Sequence, residues 1–142
     1  MDDLIAFLRA RLDEDAAAAR VAAEPESWME LNREPRPSWY VQYWADPDVA
    51  AVIADPESSA YPVVTTPEGM SEDDADRRVA HIARHDPARV LAEVDAKRRT
   101  LIRCEEALLA ANPMLAHFAK ETLLDLTRPY ADHPDYKDTW RP

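Results

Sequence analysis

The chain has 142 residues, 46% of them hydrophobic, with one cysteine, one glycine, twelve prolines and a formal net charge of −11 at neutral pH. That length can bury a sizeable core in one domain without covalent staples, and a single cysteine, Cys104, excludes an intrachain disulfide and fits a reducing compartment. The lone glycine, Gly69, excludes the phosphate-cradling loops of nucleotide-binding proteins and the nucleophile elbow of hydrolases, which need glycine where the backbone turns sharply or meets its ligand.

Residues 3–23 read as an amphipathic helix: Leu4, Ile5, Leu8, Leu12, Ala16 and Ala19 recur on one face, Asp2 or Asp3 can cap it, and Pro25 ends it. The acids Asp13-Glu14-Asp15 read as its solvated edge. Residues 25–70 hold seven of the twelve prolines and three short β-prone runs at 39–44, 49–54 and 61–66. Asp46-Pro47 and Asp55-Pro56 are turn signals between them. A small antiparallel meander is expected, with an irregular aromatic-rich loop as the alternative.

A second helix is expected over 71–85, opened by Ser71 and Asp74 in a variant capping box. Asp86-Pro87 restarts the chain as N-cap and first helical residue, and Asn112-Pro113 does the same further on. The third and fourth helices then run over 87–111 and 113–127. The tail, 128–142, is aromatic and punctuated by proline, and reads as irregular. The fold class is therefore α+β, helix-dominated: about four helices and a small antiparallel strand layer from the middle of the chain. No basic segment leads into a continuous apolar stretch near Met1, and no run of about 18 apolar residues occurs, so neither a secretory signal nor a membrane span is expected. The expectation is a cytoplasmic protein with no membrane partner and no cofactor.

Three blocks carry a family resemblance: the opening Met1–Leu12, the stretch His81–Arg99 (HIARHDPARVLAEVDAKRR), and the closing Pro129–Tyr136 with Trp140–Pro142. Together they resemble a domain-of-unknown-function family of short proteins found in actinobacteria and their phages. The resemblance implies a cytoplasmic setting, compatible with a phage or prophage association. It implies no activity, substrate or catalytic residue.

Three constellations bear on function. His81 and His85 are one helical turn apart, a spacing that can place two imidazoles on one divalent metal, with Asp132, His133 or Asp135 of the tail as a third ligand. Ile82 stands where a zinc protease would carry its glutamate, and the simpler reading makes His85 a partner for the free carbonyls at the helix end. Arg98 and Glu105 fall in the middle of the third helix's apolar face, beside Val90, Leu91, Val94, Leu101, Ile102, Leu108 and Leu109. An arginine there must be paired or must reach out along its own stem. A carboxylate from another helix is the expected partner, with Asp15, Glu121 and Asp125 as candidates, or one from a second copy of the chain. Trp28, Trp39, Tyr40, Tyr43, Trp44 and Tyr61 make an aromatic group that reads as core or as interface, with Trp39 and Trp44 as interface candidates.

Residues 1–70 carry a net charge of −9, whereas 77–103 carry +5. The acidic whole should repel nucleic acid. A non-enzymatic interaction factor, whose partner is another protein or a second copy, is the leading reading. A metal-binding protein or hydrolase using His81, His85 and the tail is one alternative. An acidic mimic of nucleic acid is the other.

Overall fold

The computed structural model describes residues 1–24, 34–43, 50–54, 63–66 and 69–141. Four helices and a three-stranded sheet follow in the order α1 (Asp2–Ala23), β1 (Tyr40–Tyr43), β2 (Ala50–Ile53), β3 (Val64–Thr65), α2 (Glu72–Arg84), α3 (Pro87–Leu109) and α4 (Pro113–Thr127). Two single 3-10 turns, Arg128–Tyr130 and Asp138–Trp140, give the tail more regular structure than its sequence suggests. The helix-dominated α+β class is as the sequence predicts. The chain forms two compact units, one of Met1–Ala16 with Ala92–Pro142, the other of Ala17–Leu91. No helix among the described residues is long and apolar enough to cross a membrane.

In the second unit the sheet is an antiparallel meander with β2 at its centre. Val41 pairs with Val52 on one side, and Val52 with Val64 on the other. The run Ala50-Ala51-Val52-Ile53 is apolar throughout because it is buried on both faces. Ala50 and Val52 pack on Ala75 and Val79 of α2, and Trp39, Val41, Met70, Ile82 and Ala83 close around them. Thr66 ends the ladder, since its Oγ1 accepts from the Ala50 N–H and donates to the Ala50 carbonyl, both at 3.2 Å. The turn signals Asp46-Pro47 and Asp55-Pro56 lie outside the described residues.

The helix starts follow their local chemistry. Gly69, at φ +80°, turns the chain into α2 through a region that other residues rarely adopt. Ser71 caps α2: its Oγ accepts from the Asp74 N–H at 3.3 Å and donates to the Asp74 carboxylate at 2.9 Å. Arg77, and after it the Ser71 hydroxyl, hold the Asp74 carboxyl below the usual carboxylate range. Asp86 caps α3 through the Arg89 N–H at 2.8 Å. Asn112 caps α4 through the Met114 and Leu115 N–H groups at 3.0 and 3.2 Å, with Pro113 in the first turn. One start differs from expectation. The Met1 carbonyl accepts the first α1 bonds, from Leu4 and Ile5, so Asp2 and Asp3 lie inside the helix, and Lys137 of the tail holds Asp3 at 2.6 Å.

The first unit buries Leu4, Leu8, Leu12 and Ala16 of α1, Val94, Leu101 and Cys104 of α3, and Ala119, Leu123 and Thr127 of α4. Burial pushes the Cys104 thiol up from its ordinary value. The buried seam of α3 is rotated by roughly 45° from the face expected, at about 100° per residue. It centres on Val94, Leu101 and Cys104, which leaves Ile102 and Leu109 exposed. Arg98 and Glu105 therefore sit on the rim of the seam instead of its middle.

Candidate interaction surface

The residues singled out in the sequence have a definite place wherever the structure describes them. Arg98 pairs with Asp13 of α1 at 2.5 Å, and its side chain is 40% exposed. Its partner is thus on another helix, as expected, but is none of Asp15, Glu121 and Asp125. One Arg9 nitrogen contacts both Glu105 oxygens, at 2.6 and 2.9 Å. Two ion pairs of opposite polarity therefore join the α1 and α3 segments of the first unit. The run Asp13-Glu14-Asp15, expected to be only a solvated edge, is fully engaged: Asp13 by Arg98, Glu14 by Arg11, and Asp15 by the Tyr130 hydroxyl at 2.6 Å.

Arg11 is the one charged residue buried among the described residues, at 7% exposure. It lies over the Phe7 ring, 5.2 Å from the centroid, and donates to Glu14 at 2.5 Å and to His133 Nδ1 at 2.7 Å. Its Nε has no partner. Phe7 is the hub of the tail, with Tyr130, His133, Tyr136 and Trp140 around it at centroid distances of 5.0–6.3 Å. Sequence reasoning missed this hub. Its signal was that the tail's aromatic rings need an apolar partner, and Phe7 is one of only two phenylalanines.

His81 and His85 belong to the second unit and His133 to the first. His81 and His85 are exposed, their ring centroids 4.5 Å apart, and the His85 N–H donates to the carbonyls of His81 and Ile82 as the α2 C-cap. His133 instead lies against the Arg11 guanidinium, and its Nδ1 also accepts from the Asp135 N–H at 3.1 Å. Among the described residues no group of three or more His, Cys, Asp or Glu side chains is arranged to hold a metal. A shallow concavity of about 420 Å³ opens between Arg128, Ala131, Tyr136 and Arg141. Its two guanidinium groups already meet Asp125 at 3.7 Å and Asp138 at 3.1 Å.

Trp39 is half-buried against the α2–sheet core, while Tyr40 and Tyr43 are exposed. The Trp39 backbone N–H donates to Asp86 at 3.3 Å, and its buried indole N–H has no hydrogen-bond partner among the described residues. Trp39 is thus built into its unit as packing. Trp28, Trp44 and Tyr61 lie outside the described residues.

The surface that stands out was not foreseen. In α4, Ala119, Leu123 and Thr127 face inward, and the opposite face of the first two turns carries Met114, Leu115 and Phe118, which are 68%, 48% and 62% exposed. Leu109, at the end of α3 five residues before Met114, is 88% exposed. An apolar stripe on a helix is ordinarily the side it buries. Here one side lies open, and these residues fall within 107–119, the longest stretch of the chain without a formal charge. That stretch was the available signal. It was hidden because Leu109 had been assigned to the α3 core face.

The chain belongs to a family of unknown function (DUF6221), whose model matches residues 1–142. No curated protein and no solved structure is significantly similar to it.

Proposed function

We propose that the protein is a small, acidic, non-enzymatic interaction factor that binds a protein partner through the outward face of α4. The observation that supports this is the open apolar face of Met114, Leu115 and Phe118, with Leu109 beside it. Contiguous exposed apolar surface on an otherwise charged protein marks an interaction site. A cytoplasmic setting with a phage or prophage association belongs to the same proposal and rests on the sequence resemblance alone. The nucleic-acid-mimic reading gains nothing from the acid run of α1, because its three carboxylates are matched within the chain.

The test is site-specific photocrosslinking. A photoreactive phenylalanine analogue replaces Phe118 in one sample and the exposed Thr139 in another, each in host lysate. A discrete adduct from position 118 and none from position 139 is the expected result. Equal labelling from both positions, or no adduct from 118, removes α4 as the interaction surface.

A further inference from the structure

We infer that the occupant of the α4 face is a second copy of this chain, paired antiparallel helix to helix; this rests on the reading of α4 as the interaction surface. Area is the first argument. An aromatic side chain carries roughly 200 Å², so Phe118 at 62% exposure, with Met114, Leu115 and Leu109, offers on the order of a few hundred Å² per copy. A two-fold pairing uses the same patch twice, which gives an area at the low end of interface sizes, that of a weak, reversible pair.

Charge is the second argument, and it selects the partner. Two chains of net charge −11 repel wherever their acids meet. The uncharged stretch 107–119 is where they can touch without that cost. A basic partner would need no such place, because the acidic half would attract it. An apolar face without charge, on so acidic a chain, suits a partner that is equally acidic.

Spacing gives the orientation. Met114 and Phe118 are four residues apart and Leu115 and Phe118 three, so the three share one face. Antiparallel helices crossing near position 116 set Phe118 of each copy against Met114 and Leu115 of the other. Glu121 and Asp125 of one copy then lie past the N-terminal end of its mate's α4, away from that copy's own Glu121 and Asp125. A parallel pairing would stack Glu121 on Glu121 and Asp125 on Asp125, which like-charge repulsion disfavours.

Sedimentation equilibrium on the full chain tests this, at low and high sodium chloride, with Phe118→Asp and Met114→Lys as variants and circular dichroism to confirm their fold. The expected result is a concentration-dependent dimer, weakened about tenfold or more in either variant and tightened by salt, which screens the mutual repulsion. A dimer that loosens with salt would instead be held by basic 77–103 against acidic segments, and the inference fails. A dimer unaffected by both variants overturns the placement on α4. A wild-type monomer at every concentration overturns self-association. In that last case, a crosslinked adduct of other than twice the chain mass at position 118 would still uphold α4 as an interaction surface.

Discussion

Asp86 shows how much one side chain organises here. Its Oδ1 accepts from the Arg89 N–H, and its Oδ2 from the Trp39 N–H ahead of β1. Beside it the Pro37 carbonyl accepts from the Ala88 N–H at 2.9 Å. One carboxylate thus starts α3 and moors the approach to the sheet. Asp86→Ala should cost about 1–2 kcal/mol, at the upper end for a lost N-cap, and Asp86→Asn less, both read from urea denaturation midpoints. Tyr130 is a second such residue. Burial, and then its hydrogen bond to Asp15, push its phenol well above the ordinary tyrosine value. A raised folded value means that the stabilisation is complete below the unfolded value of about 10 and is lost as pH rises above it. Urea midpoints at pH 8 and pH 11 should therefore fall less in Tyr130→Phe than in wild type. An unchanged alkaline loss would place the cause elsewhere.

Among the elements, α1 decides the most within the first unit. One stripe enters the core through Leu4, Leu8 and Leu12, and Phe7 and Arg11 beside it receive the tail. Phe7→Ala should cost about 3–5 kcal/mol, as other buried phenylalanines do. Amide exchange over 130–140 should accelerate more than exchange in α4. Uniform acceleration would mean that the tail is not held through Phe7. The ion pairs on the other flank weigh less. Arg98 is 40% exposed and Asp13 72%, so solvent screens their attraction, and Arg98→Ala should cost less than about 1 kcal/mol. The several kilocalories expected of an arginine in the middle of a buried face do not apply, since Arg98 is on the rim. A chemical-denaturation difference above about 3 kcal/mol would show that the pair is desolvated.

Across the whole molecule, charge is the dominant long-range term. A net charge of −11 disfavours compactness by self-repulsion, and salt relieves it. Salt also weakens the exposed ion pairs, such as Arg77–Asp74, Arg99–Asp95 and Lys137–Asp3. Each of these is worth little on an exposed surface, so self-repulsion should win, and the melting temperature should rise with sodium chloride. Calorimetry at a concentration that keeps the chain monomeric checks this. A falling melting temperature would mean that the network of pairs outweighs the excess charge.

Local chemistry made much of the fold legible in the sequence. Ser71, Asp86-Pro87 and Asn112-Pro113 act on backbone groups within four residues of themselves, so they mark helix starts whatever the rest of the chain does. β-Branched and aromatic runs did the same for the strands; that β2 is buried on both faces is known only from the structure. What only the tertiary structure decided is which edge of each apolar stripe turns inward. On α3 a modest rotation about the helix axis trades Ile102 and Leu109 for Cys104, and moves Arg98 from core to rim. Side chains 85 to 122 residues away in the chain set that rotation and its neighbours' partners, Asp13 for Arg98 and His133 for Arg11. Phe7 and Phe118 make the same point for the candidate site. Both are phenylalanines at helical spacing within apolar runs, and a periodicity cannot tell them apart. The tail folds over Phe7, whereas Phe118 is 62% exposed among the described residues, because burial depends on what the rest of the chain brings to a face as well as on the composition of that face.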